Sequence, residues 1–327
     1  EDQADYVIVT APAFVPSFEP LAALRRRLGM RVRIVDTAWI AAAFPGNDQP
    51  ARIRSFILYA YENWNTRYVL LGGDDEIVPH RGLYAKTGTT IDADIASDLY
   101  YAGLDGTWNT DGDAYFGEPG EEDLLPEVSV GRLPVDSAAE IANVVEKIRR
   151  YSEAPVLDQC ESALMLGELR WTSGGVTTWG GDYKDEVRYG SSSWGFATAG
   201  PPASFEIATL YDRDLGSWGP AQLVPLLSSG VNLINHCGHA SHATVMRLAA
   251  ADVPSIANDG VESPYFLCWS HGCYAASFDN RDEAGVVHAE DCIAEELLCG
   301  PRGAVAFVGH TRLGWDAPAS TCGVSQF

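Results

Sequence analysis

Between Val231 and Cys273 the sequence twice runs an apolar segment into a side chain that can do chemistry. Val231-Asn-Leu-Ile-Asn-His-Cys leads into Gly238-His239-Ala240-Ser241, and Pro264-Tyr-Phe-Leu-Cys-Trp-Ser leads into His271-Gly272-Cys273. Short apolar runs bounded by Gly and Pro read as buried strands. In an open parallel sheet, residues just past strand carboxyl ends line the ligand crevice, so two such strands would bring His239 and Cys273 to one rim. A thiolate is a nucleophile and a basic neighbour handles its proton, which makes this pair a kit for thiolate catalysis. Cys273 is expected to head a helix or turn, where a helix N-terminus favours the thiolate. His239 would protonate a departing amine and serve as base toward the thiol. Backbone N–H groups near Ala240 and Cys273 are the expected donors to an oxyanion.

The same residues carry a resemblance. Gly238-His239-Ala-Ser, then an apolar strand, then Gly272-Cys273-Tyr-Ala-Ala-Ser-Phe-Asp resembles the catalytic region of the gingipain family of cysteine peptidases, of the caspase-like clan. Similarity continues in Tyr68-Val-Leu-Leu-Gly-Gly-Asp-Asp-Glu-Ile-Val-Pro79, Ser97-Asp98-Leu-Tyr-Tyr, Val130-Gly-Arg132, Cys292-Ile-Ala-Glu-Glu-Leu-Leu and Gly303-Ala-Val-Ala-Phe-Val-Gly-His-Thr-Arg-Leu-Gly-Trp315. It implies an α/β, caspase-like three-layer sandwich with a mostly parallel sheet and two tandem subdomains. It also implies an endopeptidase cutting after Arg, or less favourably Lys, through a thioester acyl-enzyme. His236, His242 and His271 rank behind His239 because none occupies the motif position.

Three further roles come from the resemblance, each beside a plainer reading of the residue. Glu168 would orient the catalytic imidazole, or stand as an exposed carboxylate at a strand end. Asp182 would select a basic side chain in the primary specificity pocket, or cap a helix with Asp185 three residues on. Trp315 would wall that pocket against an alkyl stem, or be an ordinary core aromatic. The family has Gly after the catalytic His where this chain has Ala240; a positive φ there would strain Ala.

Composition bounds the partners. The 22 basic against 45 acidic residues leave a net charge of −23, which argues against nucleic acid or an anionic membrane and suits calcium, basic substrates or simple solubility; the resemblance implies protein or peptide substrates. No apolar run approaches a membrane span, and no organic cofactor is expected. At 327 residues the chain can bury one large core or two smaller ones. The seven scattered Cys fit one catalytic thiol plus optional pairs. A secreted or cell-surface location of bacterial type is expected, as is a further segment C-terminal to Phe327, since the family's catalytic domains continue beyond this point.

The elements needed to position the site can be read in order. Strands are expected at Tyr6–Val9, 31–35, 68–72, 127–131, 163–168, 206–210 and 304–308, in addition to the two central ones. Helices are expected at 18–28, 51–64, 137–151, from 182, 220–227 and 291–298. Pro155 is the expected boundary between a supporting subdomain, 1–155, and a catalytic one, 156–327. Within the first, an acidic loop starting at Thr107 places Asn109, Asp111, Gly112, Asp113 and Glu118 at EF-hand-like positions. That reads as a structural calcium site, a use of calcium the resemblance also implies, or as a solvated acidic loop. Three alternatives stand beside the peptidase: a sortase-like transpeptidase of the same fold, a non-catalytic binding domain, and a zinc site built from His236, Cys237, His239, His242, Cys268, His271 and Cys273.

Overall fold

Val7, Ile8 and Val9 are fully buried, so the first strand, β1 (Tyr6–Thr10), lies inside its sheet with both faces covered. After β1 come α1 (Val15–Arg27), β2 (Val32–Asp36), α2 (Thr37–Ala43), α3 (Gln49–Trp64) and β3 (Tyr68–Gly72). The Asp48 carboxylate accepts the Ala51 N–H to open α3, and Asn65 in left-handed conformation closes it. Its buried stripe of Ile53, Phe56, Ile57, Ala60 and Trp64 has helical spacing. An antiparallel hairpin, β4 (Arg81–Thr87) and β5 (Thr90–Ser97), a short α4 (Leu99–Ala102), the acidic loop and β6 (Ser129–Leu133) complete the unit. The sheet is parallel with order β2-β1-β3-β6.

Helix α5 (Ala138–Glu153) is capped by Ser137 Oγ, which accepts the Glu140 N–H at 3.3 Å, while the Glu140 carboxylate accepts the Asp136 N–H at 2.9 Å. The computed structural model describes residues 3–192, 195, 197–282 and 284–315. The chain divides into two compact units, Glu1–Val145 and Glu146–Phe327, so the division falls inside α5 and not at Pro155.

The second unit is organised on β7 (Ser162–Gly167). A second hairpin, β8 (Leu169–Ser173) and β9 (Val176–Trp179), occupies what reads in sequence as a Gly/Ser/Thr loop; Gly174 and Gly175 supply the two positive φ values of its tight turn. Then follow α6 (Gly180–Tyr189), β10 (Gly190–Ser191), β11 (Thr198–Ala199), β12 (Glu206–Tyr211), α7 (Asp212–Leu215), α8 (Pro220–Ser229) and β13 (Leu233–Cys237). A small meander, β14 (Ala240–Ser241), β15 (Thr244–Val245) and β16 (Leu248–Ala249), precedes β17 (Phe266–Ser270), α9 (Ile293–Cys299) and β18 (Ala304–Val308). The main sheet is parallel with order β12-β7-β13-β17-β18. The chain steps outward from β7 to β12, then returns to β13 on the other side, so the order reverses between β7 and β13. That reversal point is where open α/β sheets form their ligand crevice.

Candidate active site

Glu168, Gly238-His239 and Gly272-Cys273 follow the carboxyl ends of β7, β13 and β17, three adjacent strands. His236 lies opposite Leu166 on one side and Ser270 on the other, which puts the exits level. A methyl group added at Gly272 would lie 2.3 Å from Ala240 Cβ, so the two loops touch at this glycine. Sequence reasoning anticipates this juxtaposition.

Cys273 is half-buried and begins a turn over residues 273–276, not a helix; Tyr274 takes a left-handed φ of 57°. No helix dipole therefore acts on the thiol. Its Sγ instead accepts the Gly314 N–H at 3.3 Å. The 310–314 segment is laid alongside by Tyr274 N–H to Arg312 O at 2.9 Å and Ala276 N–H to His310 O at 3.1 Å. A buried two-point ion pair anchors it, Arg312 Nη1 to Asp279 Oδ1 at 2.9 Å and Nη2 to Oδ2 at 2.6 Å.

His239 is exposed, and its Nε2 lies 3.0 Å from Leu169 O and 3.1 Å from Arg170 O. Carbonyls only accept, so Nε2 carries the proton and Nδ1 is left as the basic nitrogen. Among the described residues no hydrogen bond joins His239 to Cys273. The residue expected to orient His239 does not do so. Glu168 Oε1 lies 3.0 Å from His236 Nε2 instead. Both side chains are buried. Gly238 leaves room for the pair, since a Cβ there would lie 2.2 Å from His236 Nε2 and 2.4 Å from Glu168 Oε1. His236 Nδ1 lies 2.9 Å from Ser270 Oγ, which in turn accepts the Gly272 N–H at 3.1 Å.

Burial pushes the Glu168 carboxyl up, but the His236 hydrogen bond, the nearby positive charges and the His239 N–H bring it below its ordinary value. Complete burial lowers His236, against the pull of Glu168. The pair is thus a carboxylate facing a neutral imidazole. Arg247 Nε stands 3.5 Å from Glu168 Oε2, and its Nη2 2.6 Å from Asp212 Oδ2. It is placed there by a two-residue turn in which Met246 and Arg247 both hold positive φ, 53° and 60°, an uncommon conformation for side chains of this size. The sequence signal for His236 was its place, beside Asn235, inside a strand that reads as buried, because a buried polar group needs partners.

Ser241 and Thr244 flank a two-residue turn and so form the hydrogen-bonded pair of β14 and β15. Ala240, one step out, directs its N–H away from β15. Ala240 has no positive φ, so the side chain standing where the resemblance expects Gly causes no backbone strain. Among the described residues, nothing accepts the Cys273 N–H.

Asp182 is not a buried pocket carboxylate. Its side chain is 50% exposed, near the start of α6, and is paired with Arg213 at 2.5 Å. Arg213 also meets Asp185 at 2.9 Å and Asp214 at 2.9 Å. Nor does Asp182 cap α6, whose first residue is Gly180. Trp315 is exposed, not core.

In the acidic loop the structure brings Asp111 and Glu118 together with Glu121, which sequence reasoning missed. Asn109 Oδ1 and Asp113 Oδ1 are taken by the N–H groups of Gly112 at 2.7 Å and Tyr115 at 2.6 Å. Asp111 Oδ1 accepts the Asp113 N–H at 3.1 Å as well, but its carboxylate still converges with Glu118 and Glu121, which Asn109 and Asp113 do not join. Burial, then the charges of Asp113, Asp111 and Glu121, raise the Glu118 carboxyl above its usual range. Glu121 Oε2 is a buried oxygen with no hydrogen-bond partner. Three converging carboxylates and an unsatisfied oxygen fit a hard cation. The zinc arrangement is different: among the described residues no three His, Cys, Asp or Glu ligand atoms converge at His239 or Cys273. Cys160, Cys237, Cys268, Cys273, Cys292 and Cys299 are all free thiols. The final stretch, Gly323-Val-Ser-Gln-Phe327, lies outside the described residues.

The model of peptidase family C25 matches residues 1–326. Lys-gingipain W83 of Porphyromonas gingivalis is 22% identical over 255 residues, 74% of this chain and 12% of that protein. Lys-gingipain of strain ATCC 33277 is 23% identical over the same shares. The chain therefore spans about an eighth of the length of these relatives. The crystal structure of the Arg-specific cysteine proteinase gingipain R superposes with a TM-score of 0.70 at 18% identity, covering 97% of this chain and 65% of that one. This likeness bears out the caspase-like α/β fold expected from the sequence.

Proposed function

Because the chain belongs to peptidase family C25, we propose that it is a cysteine endopeptidase acting through Cys273 and His239. One observation carries the reading: parallel neighbours β13 and β17 end in Gly238-His239 and Gly272-Cys273, and Gly272 rests on Ala240. In the first step His239 Nδ1 takes the thiol proton as Sγ attacks the scissile carbonyl carbon. The imidazolium then gives that proton to the leaving nitrogen as the C–N bond breaks, leaving a thioester. Water attacks the thioester, with its proton taken by the same nitrogen and returned to sulfur. The Leu169 and Arg170 carbonyls hold the ring by Nε2 and leave Nδ1 free to take the proton. The Ala240 and Cys273 N–H groups supply donors for the oxyanion. Cys273→Ala should abolish cleavage of a peptide library, and a peptidyl chloromethylketone should label Cys273 stoichiometrically. Undiminished cleavage by Cys273→Ala overturns the reading. Amide products formed with added amines in place of hydrolysis would make it a transpeptidase.

Cleavage after Arg or Lys is the proposed specificity. Asp182, Asp185 and Asp214 surround a single guanidinium, so an excess of negative charge remains to attract a basic side chain. Arg213→Met should raise kcat/KM for Arg and Lys substrates severalfold and leave neutral ones unchanged; an unchanged profile would remove Asp182 from the specificity site.

Calcium belongs to the same reading. Asp111, Glu118 and Glu121 would hold it, tying together the two ends of the acidic loop. A calorimetric titration should show binding that Glu121→Gln weakens at least tenfold; no heat with wild type would end the calcium assignment.

A further inference from the structure

We propose that Glu168, His236 and Ser270 form a buried relay that fixes the backbone loop carrying Cys273 and its oxyanion donor, making His236 and Ser270 positioning residues. The inference rests on the peptidase reading above and assigns work to side chains that reading leaves unused.

Hydrogen-bond direction follows from the chemistry of each atom. The Glu168 carboxylate only accepts, so His236 Nε2 donates to it across 3.0 Å. That leaves His236 Nδ1 as an acceptor, and the Ser270 hydroxyl donates to it across 2.9 Å. The lone pairs of Ser270 Oγ then receive the Gly272 N–H at 3.1 Å. One arrangement satisfies every polar atom in the series, and it requires a neutral His236, the form its burial favours. The Gly272 loop therefore terminates on the Glu168 charge, through His236 and Ser270 at Gly272 N–H.

The next donor along this loop is one the mechanism uses, Cys273 N–H after Gly272. Fixing one peptide plane restricts the rotation of the next, so the relay sets where that donor points. Arg247, itself held by Asp212, fixes the anchor. Gly238 is the clearance that lets the imidazole and carboxylate meet. A buried pair with a purely structural role would not need the link through Ser270.

The experiment compares two reactions of one thiol. Peptide cleavage passes through an oxyanion, whereas alkylation of Cys273 by iodoacetamide does not. Ser270→Ala should lower kcat for an amide substrate by about 30-fold, short of the roughly 100-fold or more for losing an oxyanion donor outright, because the donor is loosened and not removed. KM and the alkylation rate should stay within about twofold, and Ser270→Thr, which keeps the hydroxyl, should recover most of the loss. A kcat for Ser270→Ala within about threefold of wild type overturns the relay, as does a parallel fall in alkylation or a Thr variant no better than Ala. Should Ser270→Ala not fold, amide exchange of the wild type decides: a protected Gly272 N–H supports the relay, and a freely exchanging one overturns it. If wild type and Cys273→Ala cleave equally, it is the peptidase reading that fails; if cleavage needs Cys273 but not Ser270, only the relay does.

Discussion

Gly272→Ala tests the contact on which the site depends. The new methyl would lie 2.3 Å from Ala240 Cβ and 3.2 Å from Ser270 Oγ. Carbon atoms in contact prefer about 3.5–4.0 Å, so the His239 and Cys273 loops would have to part by more than about 1 Å. A displacement of that size at reacting groups costs about 100-fold in rate, equivalent to about 2.7 kcal/mol of transition-state stabilisation. Overpacking should cost about 1–3 kcal/mol of stability as well. Ala240→Gly supplies the internal control: with its methyl gone, the nearest Ala240 atom is Cα at 3.5 Å, an ordinary contact. The assay is a double-mutant cycle in kcat/KM on a peptide amide, with urea melts of all four proteins. Gly272→Ala should lose about two orders of magnitude and the double variant should regain most of them. A fully active Gly272→Ala, or a double variant as impaired as the single one, would show that the loops do not meet as described.

Other consequences follow from buried polar groups in the same unit. Lys147 is buried and donates to the carbonyls of Leu298, Arg302 and Ala304, the last two at 3.1 and 2.8 Å; burial pulls its ammonium down to about 7. Lys147→Met strands these acceptors and should cost about 3 kcal/mol in urea unfolding, whereas a loss below about 0.5 kcal/mol would contradict the contact. Arg312→Met leaves the buried Asp279 with only the more distant Arg281, at 3.7 Å, as a cationic partner and should destabilise by about 3 kcal/mol; unchanged melts would refute it. Acid should destabilise in two windows. Burial lowers His236, so below about 6.5 the unfolded chain takes up a proton that the folded one resists, and stability falls as pH drops. Glu168, held low despite its burial by His236, Arg247 and the His239 N–H, adds a second loss as pH falls below about 4.5. Equal stability at pH 7.5 and 5.0 would contradict the first window.

Local patterns were legible in the sequence wherever one residue's neighbours decide its conformation. The apolar runs around Ile8, Leu164, Ile234, Phe266 and Ala306 became strands of the two sheets, and the helices expected over 51–64 and 137–151 became α3 and α5. His239 and Cys273 were identifiable because each follows such a run and a glycine. Partner choice was not legible. Glu168 went to His236 and not His239, Asp182 went to Arg213, and Glu121 joined Asp111 and Glu118 while turn hydrogen bonds claimed the oxygens of Asn109 and Asp113.

The sequence alone determined which segments are strands and which side chains stand at their ends, because periodicity and glycine punctuation act over a few residues. Only the tertiary structure decided that β7, β13 and β17 are neighbours, and so which carboxylate meets which imidazole. A hydrogen bond depends on tenths of an ångström between residues far apart in the chain, and the packing of the sheet sets that distance.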